Sequence, residues 1–311
     1  MMYDLALVVT GLLALLLGGE MLLRGAVDMA TRLKLSQLVI GLTVVGFGTS
    51  MPELLVSVKA ALSGQQGIAI GNVVGSNIAN ILLIGGIAAL VHPPSAWDKS
   101  IKRDAIAMVA ASFLLLALAM TGSISGLTAA VMLTGLCIYL AMAYHYGRIE
   151  PEEGDTPPAT VIRNSWIPVG LLLIGFAALF LGADWLVNGA SGLARDFGVS
   201  EAVIGLTIVA VGTSLPELAT SILAALRRNT DVALGNIVGS NIFNILGILG
   251  VTGIIAPLGI DDAFLMRHIP IMLGVTVLFG IVLVCARTLP RLAGLSMLTV
   301  YAAYSWSLYA G

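Results

Sequence analysis

Long apolar stretches separated by short clusters of charged and turn residues fill nearly the whole chain, and each is close to the roughly 20 residues a helix needs to cross a bilayer. Ten are read, at 3–23, 36–62, 67–91, 104–121, 126–146, 166–193, 200–226, 231–257, 268–286 and 290–309. The runs are continuously apolar, without the period-two alternation of a membrane β-barrel. Helices are the remaining way for a backbone to satisfy its own polar groups in lipid. No basic cluster precedes the first run, so it is expected to be a retained helix, with the chain starting at its mature end.

Composition sharpens this to an integral membrane protein. Hydrophobic residues make up 58% of the 311 and charged ones 10%, against roughly 45–50% and 25% in soluble domains; mean hydropathy is +1.01. The 36 glycines favour close helix approach in lipid. Cys137 and Cys285 lie in apolar spans without metal or redox spacing, so they are expected to be inert buried thiols with no disulfide.

Charge in the loops sets an orientation. Arg24, Arg32, Lys34, Lys99, Lys102, Arg103, Arg148, Arg163, Arg227, Arg228, Arg287 and Arg291 fall on one alternating set and only Arg195 and Arg267 on the other, with Lys59, late in the second span, in neither. Cytoplasmic loops are the basic ones, so both termini are expected outside and the linker 148–165 inside. That linker, with the sequence GRIEPEEGDTPPATVIR around it, is charged and proline-bearing and separates a first five-helix repeat, 1–147, from a second, 166–311.

The two halves are written from one pattern. Residues 36–93 and 200–257 align without a gap at a spacing of 164, with 31 of 58 positions identical. Five spans per half is an odd number, so the second copy must cross in the opposite sense, as an inverted-topology repeat. In such designs the Gly/Pro-interrupted segments are the best pointer to a binding site, and here they are GFGTSMPE and AVGTSLPE.

Pro52 and Pro216 each remove a backbone donor and obstruct the preceding turn, which frees carbonyls around Gly46–Thr49 and Ala210–Thr213. Glu53 and Glu217 follow immediately. At helical spacing Gly46, Thr49 and Glu53 share a face with Ser50 one step aside, and Ala210, Thr213, Ser214 and Glu217 repeat the set. The partner helices add Asn72, Ser76 and Asn80 on one face, and Asn236, Ser240 and Asn244 on the other. Asn77 and Asn241 point about 100° away and read as braces between helices, while Asn72 and Asn236 are open between bracing and ligation. Carboxylate, hydroxyl and carbonyl oxygens suit hard cations such as calcium and sodium and disfavour zinc or copper.

A charged carboxylate at bilayer depth is costly without a purpose, and no basic residue neighbours Glu53 or Glu217 in sequence. Two such glutamates facing each other repel unless a cation or protons neutralise them. Glu20 and Asp184 also align, in GGEMLLRGA and GADWLVNGA. Arg24 can pair with Glu20 one turn on, and a helix-end or packing role is expected for both acids. The Gly-Ala pairs at 25–26 and 189–190 are expected to permit helix contact or sliding.

The paired GTS-PE and GN-GSN-N segments resemble the α-repeats of the cation/calcium antiporter superfamily, closest to prokaryotic sodium/calcium exchangers, over nearly the whole chain. The resemblance implies an all-α membrane protein of ten transmembrane helices with the sodium/calcium exchanger fold. It also implies sodium-driven calcium antiport in a prokaryotic plasma membrane, with helices one and six sliding against the other eight. It places calcium at Thr49, Glu53, Thr213 and Glu217, and sodium at Gly46, Ser50, Ser76, Ala210, Ser214 and Ser240. Asn80 and Asn244 would line the middle. Related exchangers often carry aspartate at the second of those last two positions; asparagine at both removes a titratable group and bears on stoichiometry and the role of protons.

Calcium/proton antiport is the nearest alternative, and a two-glutamate cation channel a more distant one. An intramembrane carboxylate protease would leave the neutral oxygens idle. The transported ions are the expected small partners, with the lipid bilayer around them. No cofactor, nucleic acid or protein partner is implied, and a monomer is the expected unit.

Overall fold

The structure, a computed structural model, describes residues 1–94, 99–146, 166–197, 212–286 and 288–309. Its helices are α1 (Met2–Leu33), α2 (Gln37–Thr49), α3 (Met51–Leu62), α4 (Gln66–Val91), α5 (Lys99–Ala119) and α6 (Gly126–Tyr146) in the first half. The second half has α7 (Ile167–Asp196), α8 (Leu215–Leu226), α9 (Thr230–Ile255), α10 (Phe264–Cys285) and α11 (Arg291–Tyr309). Among the described residues, six helices are long and apolar enough to cross a membrane, or seven if α2 and α3 are one bent span. The sequence span 36–62 is therefore a broken one. The seventh span is described only from Gly212, and the linker 148–165 and Ala210 lie outside the described residues.

The first helix runs ten residues beyond the end expected from hydropathy. Its charged last turns remain helical because their charges pair at i,i+4: Arg24 Nε donates to Glu20 Oε1 at 2.7 Å, and Arg32 Nε lies 3.4 Å from Asp28 Oδ2. Such pairing does not register in a hydropathy window.

Helices α4 and α9 form the buried centre. About 78% and 89% of their apolar stretches are buried, against 28% for α1 and 33% for α7. Around them the packing repeats: α11 lies on α4 as α6 lies on α9, and α5 packs against α10. The outward faces carry large apolar side chains such as Leu12, Leu16, Leu173, Ile174 and Leu278, the surface expected against lipid. Cys137 and Cys285 are free and also on this surface, so they are not buried; an apolar span does not say which of its sides faces protein. A short antiparallel pairing of Ser123–Ile124 with Leu258–Gly259 ties together the loops after α5 and α9.

Outside this bundle, α1 and α7 pack on each other along an antiparallel seam and share a separate apolar cluster with α2. Glycines at 11, 18 and 25 recur at 175, 182 and 189, seven apart in each helix and 164 apart between them. A Cβ built at Gly18 would stand 2.9 Å from the carbonyl oxygen of Gly175, and one at Gly182 would stand 2.9 Å from that of Gly11. Backbones meet here directly, as small residues allow between membrane helices. Gly25 and Gly189 of the Gly-Ala pairs belong to this seam.

The duplication extends to the turns. Gly64 and Arg228 sit at the same point of the α3–α4 and α8–α9 connections, with φ 75° and 60°. In each, the next residue's N–H reaches back to the preceding helix, Gln65 to Ala60 O at 2.9 Å and Asn229 to Ala224 O at 2.8 Å. This is the left-handed closure of a helix C-terminus.

Candidate functional site

Two helix breaks meet at the centre. Ser50 links α2 to α3 across a 42° bend with φ −84° and ψ 7°. Ser214, preceding α8, has φ −90° and ψ 8°. Both occupy the sparsely allowed bridge region, which neither continues a helix nor extends a strand. Pro52 and Pro216 follow in the first turn of the next helix, where a missing N–H costs nothing, and each leaves the carbonyl four residues back without its helical donor. Glu53 and Glu217 come next, in the first turn, where the helix N-terminus favours negative charge.

The hydroxyls at the breaks cross between halves. Ser50 Oγ donates to Glu217 Oε1 at 2.8 Å, and Ser214 Oγ donates to Glu53 Oε1 at 3.2 Å. Both glutamates are buried, at 1% and 2% exposure, and the Oε2 atom of each has no hydrogen-bond partner among the described residues. Among the described residues no Lys, Arg or His pairs with either carboxylate.

The asparagines left open by sequence fix the glutamate backbones. Asn72 Nδ2 donates to Glu53 O and to Ser57 Oγ, both at 3.0 Å. Asn236 Nδ2 donates to Glu217 O at 3.2 Å and to Ser221 Oγ at 2.9 Å. These four bonds clamp the first turn of α3 to α4 and of α8 to α9. Ser57 and Ser221 are thus part of the support although not singled out above; their identity in both copies, one turn after each glutamate, was the available signal. Asn236 also accepts from Thr49 Oγ1 at 3.2 Å.

Deeper in the same helices, π-turns begin at Asn80 and at Phe243, next to Asn244. Such one-turn widenings recur at functional sites because they rotate side chains out of the ordinary helical register. Asn80 is buried with neither side-chain polar atom partnered, and Asn244 Oδ1 is likewise buried and unpartnered. Asn244 Nδ2 donates to Asn77 Oδ1 at 3.1 Å, which makes Asn77 the expected brace. Asn241 is not one: its Nδ2 turns back to Ile237 O on its own helix at 2.7 Å, the acceptor nearest along the helix.

The remaining expected residues divide. Thr49, Ser50, Ser76, Ser214 and Ser240 are buried and Thr213 is half-buried. The Gly46 carbonyl accepts from Ser240 Oγ at 3.2 Å and already serves the backbone N–H of Ser50 at 3.3 Å. Carboxylate, hydroxyl, amide and carbonyl oxygens are what converge. Oxygen donors of these kinds suit hard cations and disfavour zinc or copper; no cluster of three or more His, Cys, Asp or Glu occurs among the described residues.

Beside this centre lies a cavity of about 320 Å³ whose walls include Met51, Pro52, Gly212, Thr213 and Pro216 from the two breaks and Asp184 from α7. Asp184 and Glu20 both stand well inside their helices, of 30 and 32 residues, so neither is a helix-end acid as expected. Glu20, its aligned counterpart, pairs with Arg24 as expected and also with Arg227 at the end of α8, at 2.9 Å. That second partner is far away in sequence and visible only in the fold.

The sequence profile of the sodium/calcium exchanger protein family matches residues 3–145 and 167–310. The chain belongs to that family of membrane cation/calcium antiporters; it is a transporter and not an enzyme. It is 37% identical to a protein of Alkalimonas amylolytica named as the antiporter CaxA, over 97% of this chain and 98% of that one. It is 32% identical to the sodium/calcium exchanger MaX1 of Methanosarcina acetivorans, over 94% and 95%. The fold matches the sodium–calcium exchanger NCX_Mj with a TM-score of 0.86 at 30% identity, over 99% of both chains.

Proposed function

We propose that the chain exchanges sodium for calcium by alternating access at a central cation site built on Glu53 and Glu217. The observation that carries this reading is the pair of buried carboxylates, each held through one oxygen by a hydroxyl of the opposite half and each with its other oxygen unpartnered. Two negative charges match one divalent ion. Thr49 and Thr213 complete the calcium set. Gly46, Ser50, Ser76, Ala210, Ser214 and Ser240 supply the neutral oxygens that competing sodium ions need, and Asn80 and Asn244 line the middle. Competition between calcium and sodium for the negative charge of the central glutamates couples their movements.

The units are the repeats 1–147 and 166–311 joined by the cytoplasmic linker 148–165, in a prokaryotic plasma membrane with both termini outside. The test is calcium-45 uptake into sodium-loaded proteoliposomes diluted into sodium-free or sodium-matched buffer. Uptake should follow the sodium gradient and vanish in Glu53→Gln and in Glu217→Gln. A second reading, calcium/proton exchange, rests on one feature: the two glutamates are buried with no basic partner among the described residues, so protons can neutralise them in place of a cation. Uptake indifferent to sodium but driven by an imposed pH gradient would replace the first reading with the second.

A further inference from the structure

Asp184 is a carboxylate in the middle of an apolar helix, and among the described residues it is the only charged side chain in the walls of the cavity beside the two breaks. It is exposed, and no basic side chain among the described residues pairs with it. An intramembrane acid without a partner is expensive, and packing does not account for one that faces open space.

The internal repeat supplies a control within the same molecule. Glu20 holds the position equivalent to Asp184, and its charge is met by Arg24 and Arg227. The residues equivalent to those two arginines, 164 positions away, are Asn188 and Ser63. Both copies keep the acid, but the second lacks both of its bases. In the one copy the carboxylate ties α1 to α8. In the other it is left facing a cavity that reaches Thr213 and Pro216, four and one residues before Glu217.

We propose that Asp184 is the entrance carboxylate for hydrated cations, drawing them from one face of the membrane into the cavity and on to the central glutamates. With the termini outside, that face is the outer one, since α7 runs outward from the linker. A lone charge set in low-dielectric walls concentrates counter-ions at the mouth of a cleft, and it acts on arrival rather than on the site's own coordination. The inference rests on the antiport reading above and adds a positioning role that this reading does not contain.

The test is calcium-45 exchange in right-side-out and inverted membrane vesicles, for the native chain, Asp184→Asn and Asp184→Glu, with Glu53→Gln as the inactive control. In Asp184→Asn the KM for calcium offered from the outer face should rise about tenfold, the low end of what a charge-lined cleft contributes. The maximal rate and the inner-face KM should stay native, Asp184→Glu should restore the outer KM, and high salt should shrink the difference. An unchanged outer KM with Glu53→Gln inactive overturns this inference alone, as does a fall in maximal rate with KM unchanged. A native chain without sodium-dependent exchange removes the antiport reading and this inference with it.

Discussion

Asn72 and Asn236 donate to the same two kinds of acceptor in the two halves, yet Asn236 is fully buried and Asn72 is half-buried. Losing a buried donor leaves the Glu217 carbonyl and the Ser221 hydroxyl unsatisfied, at about 1–3 kcal/mol. Asn236→Ala should therefore lower the unfolding temperature in detergent more than Asn72→Ala, and both should weaken cation binding by loosening the turn that carries a glutamate. Thermal unfolding of the purified variants checks the order. At this scale the sequence named the polar residues but not their partners. Helical spacing puts Ser50 near Glu53 on its own helix, whereas the hydroxyl reaches Glu217 instead. That choice depends on how two broken helices meet, which no local pattern encodes.

Helices α1 and α7 touch through glycine, so their contact is set by backbone shape and tolerates no side chain. Gly182→Ala places a methyl 2.9 Å from the Gly11 carbonyl oxygen and the Leu15 nitrogen. Overpacking of this kind costs about 1–3 kcal/mol, and exchange should slow if these helices move as a pair. Gly170, four residues into the same helix, has nothing within 4 Å of an added Cβ. Gly170→Ala should be neutral or stabilising by up to roughly 1 kcal/mol, since glycine is the poorer helix former; melting and uptake assays on the two variants separate seam from open face. The apolar runs placed most of these helices to within a few residues. The π-turns at Asn80 and Phe243 left no trace in sequence, because a shift of hydrogen-bond register by one residue barely changes hydropathic period.

The molecule as a whole was the most legible scale, since a 164-residue repeat with odd spans per half forces antiparallel halves before any coordinates exist. Loop charge adds the orientation proposed above. Alkaline phosphatase, which is active only outside the cytoplasm, should be inactive when fused after Thr156 in the linker and active when fused at the C-terminus. The reverse pattern would invert the proposed topology. What the repeat could not supply is its own asymmetry. Arg227 on Glu20 and the open flank of Asp184 arise where the copies have diverged, and their meaning depends on which helix ends lie together.

The crossed hydroxyls carry a consequence for ancestry. Each glutamate is steadied by a serine from the other half, at 2.8 Å for Ser50 on Glu217 and 3.2 Å for Ser214 on Glu53. A chain of one repeat alone could not complete even a single carboxylate–hydroxyl pair. It would have to meet a second copy of itself inserted upside down in the same bilayer. A gene for such a half would need loops so evenly charged that its product entered the membrane both ways. Fusion of two such copies would free each to fix one direction, and the uneven spread of arginine and lysine between the two sets of loops is the pattern such a fusion would leave.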